Sequence, residues 1–516
     1  MENNMRKPTL TIHRGWTHAA ITILQSCPAA SGIGNFIRNS LVEKEYLPEH
    51  NEFINGRWRK VWGRWQDKYK YYRYDGKSQK LFVPIAYADD IVVVAKSLGL
   101  EVEEKRINDY ELRKIDVKMN PRFTDREKQI EPIRKCSEPD PGMKFLNLQT
   151  GGGKTYCAVK VSVNLGYATL IIVPGLVDQW IDDIEEYTGL KKGDDIYKIE
   201  GFQSIALLAH NPQFKPKYFV ASTRTMQMFS NGDEGYDLLP WNYTGFLSTY
   251  GIGTKIVDEC HKNFNANTKM DLKSNVPFNL YLSATFDQTS KQARKIFKKI
   301  FPDDQLIGGE TYDRYVTVYF FNFYGRVHDK KCCRAKGYMH SLYETQLLKT
   351  DSLFNGHVDE AIIPLLNQFY INRYQKGHRC LVFCSTVEFV NKLTKRLRIE
   401  YPNLKVNAYT AGMPRSILSE SDLVVSTIGK ASTGLDWKGL RCCLNTVSVR
   451  SPVLTSQMLG RLRKINGEQL IYVDMCDANI AAQIRHAEDR KSDLSRMAAK
   501  MCTFDGLTDI TTTYPG

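Results

Sequence analysis

Gln149-Thr150-Gly151-Gly152-Gly153-Lys154-Thr155 is the stretch whose reading decides the fold. The apolar run Phe145 to Leu148 precedes it, and a helical pattern begins at Tyr156. A strand, a glycine-rich turn and a helix start form a cradle for phosphate. The glycines let backbone N–H groups close around the anion, and the helix N-terminus adds positive potential. Lys154 would then reach the outer phosphates of a nucleotide, and the Thr155 hydroxyl would meet Mg²⁺. The full pattern has glycine where this chain has Leu148, so a glycine-rich loop beside an ordinary lysine is the competing reading.

Outward from that turn, short β-branched runs alternate with helical patterns. Strands are predicted at 168–173, 218–221, 254–257 and 280–283, then at 380–384, 405–409, 422–426, 442–447 and 469–473. Helices are predicted at 175–188, 291–300 and 386–400. Such alternation gives an α/β fold of parallel sheets with helices on both faces. Asp303, Asp304, Gly308 and Gly309 separate the two series. The expected domains are therefore 1–118, 119–308 and 309–516.

Residues 1–118 read as a small α+β module. Trp58, Trp62, Trp65, Tyr69, Tyr71, Tyr72 and Tyr74 interleave with Arg57, Arg59, Lys60, Arg64, Lys68, Lys70 and Arg73. Asn55-Gly56 marks a hairpin turn. A helix at 86–98 and a strand at 101–106 follow. Rings among cations suit base stacking and phosphate neutralisation, which makes Trp58 and Arg64 candidate nucleic-acid contacts. They suit equally a sheet that buries its rings and turns its Lys and Arg to solvent.

The chain has 516 residues, too many for one core of ~250–300. Its 42% hydrophobic and 25% charged composition is that of a globular protein. A net charge of +14 favours an anionic polymer as partner, or simply a soluble basic surface. Twelve cysteines over this length are core and strand residues rather than a disulfide framework. No apolar run approaches the ~18 residues of a membrane span, and Thr9 to Trp16 is broken by His13 and Arg14. The expectation is a cytoplasmic protein, in the host cytoplasm if phage-encoded, with no membrane partner.

Val257-Asp258-Glu259-Cys260-His261 closes an apolar run about 100 residues after Lys154. Asp258 at a strand end can hold Mg²⁺, and Glu259 can deprotonate water. Ser283-Ala284-Thr285 ends another strand. Gln457-Met458-Leu459-Gly460-Arg461-Leu462-Arg463-Lys464 opens or lies on a helix, and its arginines suit the charge that develops on a γ-phosphate. The basic stretch 325–340, with Arg326, Lys330, Lys331, Arg334 and Lys336, is either a strand-splitting loop or a solvated one. Its His328, Cys332, Cys333 and His340 lack the Cys-x-x-Cys spacing of a zinc site.

Taken in order, these elements resemble the superfamily 2 helicases over 123–464. Phe123 to Gln129 looks like the adenine-reading segment, with Gln129 as reader, and 149–155 resembles motif I. Val173-Pro174-Gly175-Leu176-Val177-Asp178-Gln179-Trp180 is similar to motif Ia, Ser222-Thr223-Arg224 to motif Ib, Asp258 to His261 to motif II and 283–285 to motif III. Val382 to Thr386 resembles motif IV, Ser426-Thr427 with Thr433-Gly434-Leu435-Asp436 motif V, and Gln457 to Lys464 motif VI. Gln179-Trp180 and the Asp-Glu-Cys-His box are similar to the XPB/UvsW-like branch, nearest its phage branch-migration helicases, as is a terminal helix with His486 and Arg490.

The resemblance implies two tandem RecA-like domains after the small module, with ATP and Mg²⁺ between them. Thr150, Gly151, Gly152, Gly153, Lys154, Thr155, Gln129, Gly434 and Asp436 would hold the nucleotide, and Thr155 and Asp258 the metal. Gln457, Arg461, Arg463 and Lys464 would act from the second domain, although Lys464 stands where the family has arginine. Ser283 and Thr285 would couple hydrolysis to movement. Gly175, Thr223, Arg224, Ser385, Thr386 and Thr427, with Arg326 and Arg334 of the basic stretch, would touch DNA. The short Gly412–Ser421 segment implies a helix before motif V that is either missing or trimmed. The implied activity is ATP-dependent remodelling of forked or branched DNA. An RNA helicase and a nucleic-acid scaffold with a weak ATP site are the alternatives.

Overall fold

The computed structural model describes residues 8–23, 28–54, 57–61, 63–149, 151–233, 235–284, 288, 290–309, 314–334, 337–414, 416–431, 437–465 and 467–506. The chain forms two compact units, 1–310 and 311–516.

In the first unit, seven parallel strands run in the order Ile196–Ile199, Tyr218–Ser222, Thr169–Val173, Thr254–Val257, Phe278–Ser283, Gly142–Asn147 and Leu306–Gly308. The central runs are apolar because helices cover both faces, leaving no side for water. Register pairs Asn147 with Ser283, Val173 with Ser222 and Val257 with Tyr281. The loops that follow these strands therefore emerge at one edge, where open α/β sheets place ligands.

The α+β module is part of this unit. Its mixed sheet runs Arg73–Asp75, Lys80–Pro84, His18–Ile23, Thr9–Arg14, Glu101–Arg106. Helices Pro28–Ser40 and Ala88–Ser97 belong to the same module. Leu10, Ile12, Ile37 and Ile91 share one apolar cluster with Phe145, Tyr281, Phe297 and Phe301 of the parallel-sheet domain. Thr17 Oγ1 donates to Asp271 O at 2.8 Å across the same junction. The module is thus fused to the sheet domain through a common core.

Strand Val42–Leu47 pairs with Arg64–Lys70 and encloses a hairpin of His50–Ile54 with Arg57–Val61. Ile54 faces Arg57 across Asn55-Gly56, a turn that lies outside the described residues. The interleaved rings divide between the two expected readings. Tyr71 is buried, whereas Trp65, Tyr69 and Tyr74 are exposed.

In the second unit, seven parallel strands run Val406–Tyr409, Leu423–Thr427, Arg379–Cys384, Leu440–Asn445, Leu470–Asp477, Val316–Phe323 and Ala498–Asp505. Pattern reading missed the last two; Val316–Phe323 follows directly on the acidic, glycine-containing break. Helix Ser416–Glu420, five residues long, precedes the motif V strand, so of the two expectations for this short segment the helix is trimmed rather than missing. The 325–340 stretch packs against the unit, with Val327 and Cys332 buried and a small hairpin of Cys333–Arg334 with Gly337–Tyr338. Among the described residues, no helix is long and apolar enough to cross a membrane.

Candidate nucleotide and nucleic-acid site

The helix after the phosphate turn starts at Lys154, two residues before the sequence pattern placed it, because Gly153 caps it in the left-handed conformation (φ 82°). A side chain at Gly153 would be strained, and its Cβ would lie 2.3 Å from Gln129 Nε2. Gln129 is buried with both ends of its amide engaged: Nε2 donates to Gly152 O at 2.9 Å, and Oε1 accepts from Arg126 N at 2.9 Å. The predicted adenine reader is thereby bound to the phosphate turn. Thr150 lies outside the described residues; Thr155 is half-buried on the first turn of the helix.

Motif II follows strand Thr254–Val257 at the same edge. Lys154 Nζ lies 3.5 Å from Glu259 Oε1. Asp258 accepts from Glu259 N at 2.8 Å on Oδ1 and from the Trp180 indole N–H at 3.0 Å on Oδ2. Burial and the neighbouring Glu259 charge push the Asp258 carboxyl up to about 6, against the pull of Lys154 and Trp180. Glu259 goes the other way. Burial would raise it, but Lys154, with Lys262 nearby, holds it below the usual carboxylate range. Two adjacent acids are thus pushed apart, the pattern of a divided task. Glu259 also has φ 45°, a left-handed backbone that costs a non-glycine residue of order 1 kcal/mol or more and collects at functional sites.

His261 Nδ1 is 2.8 Å from Ser283 Oγ and 3.4 Å from Glu259 Oε2, and burial lowers its pKa to about 4. Motif III is therefore bonded to motif II through a neutral imidazole. Gln288 Nε2 donates to His261 O at 2.7 Å and fixes the same turn from the other side. Thr285 lies outside the described residues.

Does this cradle fit a triphosphate and Mg²⁺? Asp258 and Thr155 supply the oxygen donors that Mg²⁺ requires. Glu259 Oε2 is buried without a hydrogen-bond donor, an acceptor left over for a water proton. The donor set fits.

In the second unit, helix Pro452–Leu459 carries Gln457 and ends before the arginines. Sequence reading placed the whole motif at or on a helix. Instead the chain turns at Gly460, and Arg461 Nε folds back to donate to Gln457 O at 3.1 Å, as cations do at helix C-termini. Arg461 is buried, Arg463 half-buried and Lys464 exposed. Gln457 Oε1 is buried without a partner. Gly434 and Asp436 lie outside the described residues.

The expected nucleic-acid contacts divide. Gly175 and Arg224 are exposed at the strand edge, but Thr223 is buried in the first turn of its helix. Ser385 N, Thr386 N and Thr386 Oγ1 all donate at 2.6 Å to the buried Glu344 carboxylate, which burial pushes up to about 7. Thr427 is half-buried, and Arg64 and Arg334 are exposed. Arg326 pairs with Glu360. Trp58 lies on strand Arg57–Val61, with its side chain outside the described residues.

Sequence reading missed several supports. The Trp180 contact had a signal in the Gln179-Trp180 ending; Glu344 had none. Arg490 and Asp474 are fully buried partners, with Arg490 Nη2 2.6 Å and Nε 2.9–3.1 Å from the carboxylate, and Asn445 Nδ2 donates to Asp474 at 3.0 Å. They fix the segment that leads into helix Pro452–Leu459.

A glycine-rich turn, a lysine and an Asp-Glu pair at one edge of a parallel sheet form a phosphate-binding cradle of the P-loop kind. Residues 122–288 match the family described as Type III restriction enzyme, res subunit. That match covers about a third of the chain and includes the glycine turn, the Asp258-Glu259 pair and Ser283. A putative ATP-dependent RNA helicase of African swine fever virus is 38% identical over 66 residues, 12% of this chain and only 13% of that protein. Among solved structures, S. cerevisiae Dbp5 bound to RNA and ADP BeF3 is 12% identical with a TM-score of 0.48, covering 74% of this chain and 94% of that one. T4 UvsW is 15% identical with a TM-score of 0.34 over 96% and 99%. The type ISP restriction-modification enzyme LlaBIII bound to DNA is 13% identical with a TM-score of 0.48 over 76% and 32%.

Proposed function

We propose that this chain hydrolyses ATP and uses the energy to move along DNA, remodelling forked or branched structures. The observation that carries the reading is the group formed by Lys154, Glu259 and Asp258 at the sheet edge beside the glycine turn. Lys154 and the backbone of Gly151–Gly153 bind phosphate. Thr155 and Asp258 would hold Mg²⁺, whose part when bound is to neutralise developing phosphate charge. Glu259 is the base: its carboxylate is kept ionised by Lys154 and has a buried oxygen free to take a water proton. Trp180 orients Asp258, and Ser283 reads the state of Glu259 through His261. Gln457, Arg461, Arg463 and Lys464 are assigned to the transition state, with Arg461 leaving its own helix end to act.

The second reading, an RNA helicase, takes its support from the name of the viral relative. DNA is preferred because Gln179-Trp180 and the presence of a small N-terminal module are similar to the branch-migration enzymes. The test is ATP turnover of the intact chain with forked DNA, four-way junctions, single strands and RNA. Forked or branched DNA should stimulate most; stimulation by RNA alone would end the DNA reading. Glu259→Gln should still bind ATP but turn it over at least ~10²-fold more slowly, the scale of a lost general base. Near-wild-type turnover in that variant would remove Glu259 from its role.

A further inference from the structure

Helix Lys291–Ile300, which was not singled out for chemistry in the sequence, borders a groove of about 860 Å³ against the N-terminal module. Ala293, Ile296, Phe297 and Ile300 are buried, which turns Lys291, Arg294, Lys295 and Lys298 outward. Arg38 and Lys44 of the module face them across the groove. The walls are held together by Ser290 Oγ, the N-cap of the helix, which donates to Glu43 Oε1 at 2.9 Å; Glu43 is itself buried and bonded to Tyr71.

Part of this charge is neutralised inside the protein. Lys298 pairs with Asp303, and Arg294 Nε donates to Gln288 O at 3.2 Å. Lys44, Lys291 and Lys295 have no carboxylate within 4.0 Å among the described residues. Trp65 lines the same groove, 68% exposed, and its ring meets that of Tyr46 edge-on at 5.6 Å. A large indole held open to water beside unpaired cations loses burial that a folded core would give it, and it offers a flat face to a base.

We propose that this groove binds single-stranded nucleic acid, with Lys44, Lys291 and Lys295 on successive phosphates and Trp65 stacked on an unpaired base. Duplex fits less well, since its bases are already stacked and offer Trp65 no face. The inference rests on the reading that the chain acts on nucleic acid, and it adds where a strand is held.

The test uses the full chain and fluorescent oligo-dT, oligo-U and a blunt duplex, with affinity measured by anisotropy from 50 to 300 mM salt. Each phosphate-bound cation contributes about 0.7 to the single-strand salt slope. Lys44→Gln/Lys291→Gln/Lys295→Gln should therefore lower the slope by about 2 and the affinity at 0.1 M salt by about 10²-fold. Trp65→Ala should weaken binding about tenfold, the scale of one lost base–aromatic stack. A control with the exposed Lys96, Lys376 and Lys395 changed to Gln carries the same net charge and should bind like wild type. All four proteins should melt alike, because the changed side chains are exposed. Equal weakening on dT and U fits a stack that ignores base and sugar; weakening on only one would name the strand held. If the groove variant matches the control while wild type binds, the groove assignment fails and the nucleic-acid reading stands. If only duplex binding falls, the single-strand assignment is overturned. If wild type binds none of the three, both fail.

Discussion

Trp180→Phe should separate metal affinity from the chemical step. The indole N–H donates at 3.0 Å to Asp258 Oδ2, and Trp180 is 4% exposed, so water cannot take its place. Phenylalanine keeps an aromatic ring in the cluster with Val177, Ile181 and Ile184 but removes the donor. Among the described residues, Asp258 then keeps as hydrogen-bond donor only the Glu259 backbone N–H, on its other oxygen. A hydrogen bond to a buried charged group is worth about 1.5–3 kcal/mol. Part of that orients the carboxylate, and loss of such a partner typically costs about 10–100-fold in metal affinity.

The assay is ATP turnover against Mg²⁺ concentration, with thermal melting alongside. The half-saturating Mg²⁺ should rise at least tenfold, while turnover at saturating Mg²⁺ stays within a few-fold of wild type. Metal-free melting should fall only modestly, because the ring is shortened rather than removed. A half-saturating Mg²⁺ within twofold of wild type would refute the argument. A drop in saturated turnover with an unchanged metal response would show that Trp180 only packs.

Arg490→Met should destabilise the second unit by about 3–5 kcal/mol, because it strands the fully buried Asp474 carboxylate; Arg490→Met/Asp474→Leu should recover most of the loss. Denaturant melts of the three proteins check this, and equal loss in single and double variants would contradict it. His357 is buried against Phe323, its Nδ1 has no partner, and burial lowers its pKa to about 4 from 6.5. Its folded pKa lies below the unfolded value, so the unfolded chain gains the proton first. The cost therefore grows as pH falls from 6.5 towards 4, reaching about 2 kcal/mol at pH 5. His357→Leu should remove that part of the acid slope, and an identical slope between pH 7 and 5 in both proteins would exclude it.

How much of this was legible in the sequence follows from which interactions are local. The runs Thr254–Val257 and Arg379–Cys384 announced themselves, since a strand covered on both faces must be apolar throughout. The Lys291–Ile300 helix was equally plain, with four buried apolar residues at helical spacing. Its use was not, because a basic face becomes a groove only when Arg38, Lys44 and Trp65 arrive from another part of the chain. Leu306–Gly308 was too short to carry a pattern. The common core of module and sheet was invisible for the same reason as Glu344. Both depend on contacts between residues far apart in sequence, and a single acid in His340–Leu347 looks like any solvated helix residue.

The site residues hold one another before any ligand is considered. Gln129 bonds the phosphate turn, Trp180 bonds Asp258, and His261 joins Ser283 to the side of Glu259. Each contact joins two motifs that are separate in sequence. Burying these polar groups costs free energy unless they are paired, so the pairings also fix the shape of the cradle. The buried polar atoms left without a hydrogen bond at this edge are therefore informative. Glu259 Oε2 is one, a buried acceptor with no hydrogen bond, the atom to which the proposed mechanism gives the water proton. Gln288 lies between that acid and the basic helix, donating to His261 O and accepting from Arg294 Nε. A strand held by Lys291 and Lys295 would load the helix that also carries Arg294, and through Gln288 the turn that carries Glu259. The proposed groove and the turn that carries Glu259 are thus separated by two hydrogen bonds, a short route by which a strand held in the one would reach the other.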